Sequence, residues 1–434
     1  MTYSLMENVI GLQSRWFRLD NGAKIYPAIL NPRDSCVFRV AVNLTKNVDP
    51  RVLQQAAEDC KPRFPSFYVR LKSGLFWNYF EANERPPLVK PESPYINDHV
   101  VPHANNGYLF TLFYHNNRVS LEVFHGLCDG FGAVQFLKAL VFRYFALLGY
   151  PDESDGSVLT VHEAPRSVEV EDSFLKNYVP ARDKTPGVKT AYRIPGTRFA
   201  CGIAAINGRM RVEQLSALAQ ESGATLTQYL AALLTWCILQ SDEGARKSKK
   251  PINICVPVNM RKFYESLTLR NFSLYFYFST QCAGRDMGFE EILKAAKAVF
   301  QSELDKNKLQ QRLNYNVAIE KNWALRVCPL FIKNAAFRIA CVLLGDKLNT
   351  CALSNFGSVQ LPQWMSGVIR DFEINLGVGN VATHSVSAIR FGERITVSFT
   401  RSVYETGIEK LFFTHLTSRG VDIELQSNQW ETRV

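Results

Sequence analysis

The sequence predicts an α/β (α+β) protein of two domains, each a mixed β-sheet with packed helices. Three observations carry that expectation. A chain of 434 residues exceeds what one hydrophobic core usually holds, so two units of roughly 200 residues each are the natural division. Alternating apolar runs pass directly into helical patterns near the start and again beyond the middle. The second half also echoes short stretches of the first.

In chain order, CVFRVAVNL from Cys36 alternates as a strand, and Asp49-Pro50 opens a helix, RVLQQAAEDC, with proline in its first turn. Tyr108 to Tyr114 and Arg118 to Phe124 flank His115-Asn116-Asn117, the pattern of a hairpin with a short polar loop. The second of these strands runs into His125. After Gly130 the apolar positions Phe136, Leu137, Leu140, Val141, Tyr144, Phe145 and Leu148 recur at helical spacing, until Gly149 and Pro151 end the pattern. Residues 151 to 175 turn acidic, and 179 to 197 are rich in proline, glycine and basic residues. The expected division is therefore a first domain at 1–175, a linker at 176–197 and a second domain at 198–434.

The second domain repeats the plan. RVEQLSALAQ from Arg211 parallels RVLQQAAEDC from Arg51, and the hairpin HSVSAIRF, Gly392-Glu393, RITVSFT ends in RSVYETG. Overlaying Arg394 on Arg118 sets Arg401 against His125 and Glu405 against Asp129, so one half keeps a histidine and aspartate that the other lacks. Between these lie the apolar helix after Thr225, the buried-strand run PINICVPVNM, and helices expected over Gly288 to Gln310 and Trp323 to Leu344. CALSNFGSV, around Ser354 and Asn355, reads as a strand end and loop.

Composition narrows the classes of partner. Fifty Lys and Arg against 40 Asp and Glu give a formal charge of +10, which favours anionic partners in general. No dense basic block with interleaved aromatics and no zinc-finger spacing is present, so nucleic acid is not expected. Ten cysteines without a CxxC pair, and an N-terminus lacking the layout of a signal peptide, fit reduced thiols in the cytoplasm. The apolar stretch Val327 to Gly345 is interrupted by Lys333 and Arg338; no transmembrane segment is expected, and an amphipathic helix packed on the body is the first reading. Peripheral membrane contact is the alternative. A monomer is expected. His384 and His415 show no ligand spacing, and no metal is expected.

The chemistry concentrates in VFHGLCDGFG. His125 leaves the end of a strand, and an imidazole with a pKa near neutrality suits a general base. Asp129, four residues on, reads as a structural brace paired with an arginine elsewhere, holding the loop that aims the imidazole. Gly130 and Gly132 suit a sharp strand-to-helix turn needing positive φ or close approach of a ligand. The bland alternative for His125 is a satisfied core histidine. Cys128 raises a rival, a Cys-His pair forming an acyl-thioester enzyme, against which stands the usual fate of cysteine as a small buried residue.

Through FHGLCDG, NVDPRVLQQAAEDCKPRFPSFYVRL, VPVNMRKFYESLTLRNF and LSNFGSV, in this order, the chain resembles the superfamily of nonribosomal condensation domains, plant BAHD acyltransferases, wax ester synthases and bacterial alcohol acetyltransferases, the last branch most closely. The resemblance implies two chloramphenicol-acetyltransferase-like domains with an active-site tunnel between them. It also implies acyl-CoA as co-substrate, no permanently bound cofactor, and direct transfer at His125 without an acyl-enzyme. Phe124 stands where condensation domains usually carry a second histidine, and no DFGWG run is present; Asp371-Phe372-Glu373 is a faint echo. The function expected is O-acylation of an alcohol, with N-acylation of an amine or a condensation-like amide synthesis as variants and a non-catalytic binding module as the alternative class. Ser354 and Asn355 are oxyanion candidates, or else a polar turn closing a strand. Asn259 and Asn271 are candidates to line the tunnel, and Arg261 and Arg270 to bind CoA phosphates, with ion pairs as the favoured alternative.

Overall fold

Local signals in the sequence become elements with defined ends. Asp49 caps the helix Pro50–Asp59, its carboxylate accepting from the N–H groups of Arg51 and Val52 at 2.9 and 3.3 Å. Thr225 and Gln228 form a reciprocal capping box at the head of Leu226–Ser241. These features belong to a computed structural model that describes residues 16–31, 34–101, 103–181, 187–341, 346–379 and 382–428. The N-terminal segment on which the leader reading rests lies outside the described residues.

Two mixed sheets dominate. The first runs in the order Ile369–Asn375, Val37–Leu44, Arg118–Phe124, Phe110–His115, Val89–Pro91, with three antiparallel pairings followed by one parallel. The second begins Ile423–Ser427, Ala204–Arg211, Arg394–Arg401, His384–Phe391, Cys351–Val359, with the same sequence of antiparallel and parallel pairings. It then extends through Ile252–Asn259 to Ser273–Thr280. The internal echo is thus a shared topology, each copy a strand followed by a helix and then a hairpin feeding a second helix. A small three-stranded sheet, Trp16–Arg18 with Asn78–Ala82 and Val69–Ser73, flanks the first.

Each large sheet packs on its own apolar core. Gly130–Leu147 covers the first sheet and Leu226–Ser241 lies at the centre of the second core. Gly130–Leu147 is also long and apolar enough to cross a membrane, but it is a core helix here. The strand Ile369–Asn375 comes from the second half of the chain yet completes the first sheet, so a division at 176–197 leaves one strand on the far side. Val37–Leu44 would otherwise present an unpaired edge there. Buried charges fasten this crossing. Arg209 of the second sheet reaches Asp371 at 3.1 Å and Glu373 at 2.8 Å, and Arg118 of the first lies 3.5 Å from Glu373.

Three expected elements differ. The helix expected over Gly288 to Gln310 is two, Phe289–Glu303 and Lys306–Lys321, because Asp305 caps a new start by accepting from Asn307 and Lys308 N–H. Pro329 likewise splits the next into Trp323–Val327 and Leu330–Ala340, while residues 342–345 lie outside the described set. Ser354 and Asn355 are not at a loop; they lie within the strand Cys351–Val359, which carries a bulge between Asn355 and Ser358 with Gly357 at φ +73°.

Candidate active site

Val119, Leu121 and Val123 point into the first core, and the strand that carries them delivers His125 to the boundary between the two sheets. The His125 N–H donates to the Cys36 carbonyl at 2.8 Å, fixing the backbone as it leaves the sheet. Tyr26 stacks on the imidazole at 4.5 Å and 16°, and Phe38 meets it edge-on at 5.2 Å. A side-chain contact holds the ring, His125 Nδ1 to Asn271 Oδ1 at 3.1 Å. Asn271 is itself oriented by Asp20, whose carboxylate accepts from its Nδ2 at 3.5 Å and its N–H at 3.4 Å. A carboxylate only accepts, so the amide nitrogen faces Asp20 and the amide oxygen faces the histidine. The proton therefore sits on Nδ1, and Nε2 keeps its lone pair. Burial pushes the imidazole pKa below its ordinary value, outweighing the opposing pull of its hydrogen bonds and Asp129, so the ring is neutral at pH 7.

Asp129 makes no hydrogen bond to His125 among the described residues. It is buried and caps Gly130–Leu147 by accepting from Gly132 N–H at 3.2 Å. Its other oxygen accepts from Arg261 Nη1 at 2.7 Å, Phe272 N–H at 2.9 Å and Ser273 Oγ at 2.9 Å. Burial alone would raise this carboxyl; the Arg261 charge and the surrounding donors bring it below its usual value. All three partners come from the second half of the chain, so the carboxylate ties the histidine turn to the opposite domain.

The two glycines after Asp129 answer to crowding rather than to positive φ. A Cβ on Gly132 would lie 2.0 Å from the Leu269 carbonyl oxygen, and one on Gly130 would lie 2.0 Å from the Phe356 ring. Neither has φ in the left-handed region. What approaches closely is the other domain.

A cavity of about 940 Å³ opens at His125, bounded by both sheets. His125, Asp129, Gly130, Asn259, Ser354 and Asn355 all line it. Asn355 is committed, donating to Thr227 Oγ1 at 2.9 Å and accepting from Gly357 N–H at 3.0 Å. Asn259 Oδ1 accepts from the Arg261 N–H at 3.1 Å. Among the described residues neither the Ser354 hydroxyl nor the Asn259 Nδ2 donates a hydrogen bond, which leaves these two as the uncommitted donors of the three.

Arg261 and Arg270 stand elsewhere. Arg261 donates to Asp129, to the Thr268 carbonyl at 2.9 Å and to the Arg270 carbonyl at 2.6 Å, and it stacks over Phe131. Arg270 is buried, donates to the carbonyls of Val170 and Arg18, and lies 3.6 Å from Asp20. Neither lines the cavity, and each lies beside a carboxylate, Asp129 or Asp20. The cations that do line it are Lys138, whose pKa burial lowers to about 8, and the exposed Lys262. Cys128 is buried, off the cavity wall, and burial pushes its thiol pKa well up, the reverse of an activated nucleophile.

The counterpart turn in the second domain shows what takes the place of the histidine. Arg401 is buried 2.8 Å from Glu409 and donates to the Val403 carbonyl at 2.7 Å, while Glu405 accepts from Thr197 N–H at 2.9 Å.

Sequence reasoning named His125, Asp129 and Asn271 but missed Asp20 and Tyr26, which no local pattern singles out.

No family model matches the chain, and no curated protein matches it in sequence. Solved structures do match it in fold. TRI101 of F. graminearum, complexed with coenzyme A and deoxynivalenol, superposes with TM-score 0.63 at 11% identity, covering 96% of this chain and 100% of that one. The wax ester synthase/diacylglycerol acyltransferase of Marinobacter aquaeolei VT8 gives 0.56 at 11% identity, over 93% and 98%. The first condensation domain of the CDA synthetase gives 0.57 at 14% identity, over 93% and 95%. At such identities the likeness establishes architecture, and the chain has the two-domain mixed α/β fold of condensation and acyltransferase proteins.

Proposed function

We propose that the chain is an acyltransferase that moves an acetyl or longer acyl group from acyl-CoA to an alcohol hydroxyl, with His125 as general base. The observation that carries this reading is the neutral imidazole at the cavity wall, its Nδ1 proton held by Asn271 so that Nε2 is free to accept. The acceptor oxygen attacks the thioester carbonyl as Nε2 takes its proton. The carbonyl becomes a tetrahedral oxyanion, for which the Ser354 hydroxyl and the Asn259 Nδ2 are available side-chain donors. Collapse breaks the carbon–sulfur bond, and the CoA thiolate leaves with the proton from the imidazolium. TRI101 with coenzyme A supports CoA as the carrier, and the name of the wax ester synthase supports oxygen acylation. Lys138 and Lys262 are assigned to the donor's phosphates. The cytoplasm is the proposed setting, in keeping with ten free cysteines.

The test is free-thiol release from acetyl-CoA and longer acyl-CoAs against a panel of alcohols and amines, scored as the acceptor-dependent increment. The protein's own cysteines, Cys201 among them exposed, set the baseline. Release with alcohols is expected. Release with amines alone would reassign the chain to N-acylation, and none with any donor would leave a binding module.

A further inference from the structure

The second of the two helices after Asn322 is built inside out. A surface helix of a water-soluble protein turns its lysines to solvent and its large apolar side chains to the core. In Leu330–Ala340 the reverse holds. Lys333 is 1% exposed, donates to the Phe76 carbonyl at 2.8 Å and sits 3.5 Å over the Trp77 ring. Phe331 and Ile339 are 74% and 61% exposed, and the neighbouring Trp323 is 76% exposed. The Leu330 N–H donates to the Leu75 carbonyl at 2.9 Å, so exposed Leu75 and Phe76 extend the same face. Scattered exposed apolar residues need no explanation; a contiguous face whose lysine is turned inward does.

Charge identifies the occupant. From Lys321 to Cys341 there is no carboxylate, and besides the inward Lys333 the three basic residues Lys321, Arg326 and Arg338 are exposed. A second copy docked about a two-fold axis would set these cations against one another. An anionic lipid surface accepts both the cations and the aromatic and branched side chains. The face also adjoins the cavity. Arg338 Nε donates to the Ala28 carbonyl at 2.8 Å, in the short helix Tyr26–Ile29 that stacks Tyr26 on His125 and sets Ile29 in the cavity wall.

We propose that Trp323–Val327 and Leu330–Ala340 form a docking face that seats reversibly in the headgroup region of an anionic lipid bilayer, beside the wall of the catalytic cavity. This holds whatever the cavity catalyses. The test is co-sedimentation of the full chain with vesicles of phosphatidylcholine containing phosphatidylglycerol, compared with phosphatidylcholine alone. Phe331→Gln with Ile339→Gln changes only outward side chains, and circular dichroism checks the fold. The wild-type chain is expected to bind the anionic vesicles, to bind less at high salt, and to lose more than tenfold in partitioning on the double substitution. The proposal is overturned if the wild-type chain stays in the supernatant, or if the double variant binds as well as wild type. It is equally overturned if the wild type sediments as a dimer that the double variant abolishes.

Discussion

Replacing Asp129 by alanine removes a carboxylate that accepts from Arg261, Phe272, Ser273 and Gly132 at once. Arg261 is left with its charge in a buried setting, a change worth about 3–5 kcal/mol, and the lost helix cap adds about 1 kcal/mol. Arg261→Met removes the charge in the other direction, orphaning the carbonyls of Thr268 and Arg270 but leaving Asp129 its three remaining donors; about 2–4 kcal/mol is expected. In the double variant neither charge is stranded, so its cost falls short of the sum by about 2–3 kcal/mol. The assay is urea unfolding at pH 7, followed by both circular dichroism and tryptophan fluorescence, because a two-domain chain must show coincident transitions before midpoints are compared. Costs that add to within about 0.5 kcal/mol would refute the brace.

Three further outcomes follow from the same geometry. Asn271→Ala strips the acceptor from His125 Nδ1; kcat is expected to fall more than about tenfold while the KM for acyl-CoA changes little, and the acid limb moves to lower pH, because the lost bond favoured the imidazolium. An unchanged kcat and limb would remove Asn271 from the account. His384 is buried, and burial together with Arg401 lowers its pKa to about 4. Its folded pKa lies below its unfolded one, so the folded state holds fewer protons; stability is full above pH 6.5 and falls by about 3 kcal/mol as pH drops toward 4, a slope that His384→Gln should flatten in urea titrations. Gly132→Ala drives a methyl into the Leu269 backbone and should cost several degrees of Tm, whereas Gly130→Ala meets only the Phe356 ring and should chiefly change the preferred acyl chain. Equal effects on Tm would contradict this ranking.

What the chain disclosed before folding was the local placement of its site residues, and what it withheld was geometry set by distant partners. FHGLCDG placed His125 at a strand end and Asp129 at a helix start because hydrophobic alternation and helical spacing are local. Arg261 and Asn271 lie ten residues apart in one run, yet no local pattern says that one braces the aspartate and the other holds the imidazole. Asp20 and Tyr26 belong to no motif; their roles exist only once the segment 16–31 lies across the domain boundary. Ile369–Asn375 falls within the expected second domain because sequence adjacency cannot show which sheet edge is vacant. Leu330–Ala340 shows the limit most sharply: its composition is amphipathic, but which face turns inward depends on Phe76 and Trp77, some 250 residues earlier.

The central claim is that His125 is the base of an acyl transfer, and His125→Ala tests it most directly. Acceptor-dependent thiol release should fall by about 10²–10⁴-fold, with Tm and acyl-CoA binding near wild type. Turnover within about threefold of wild type in a folded His125→Ala protein would contradict the account.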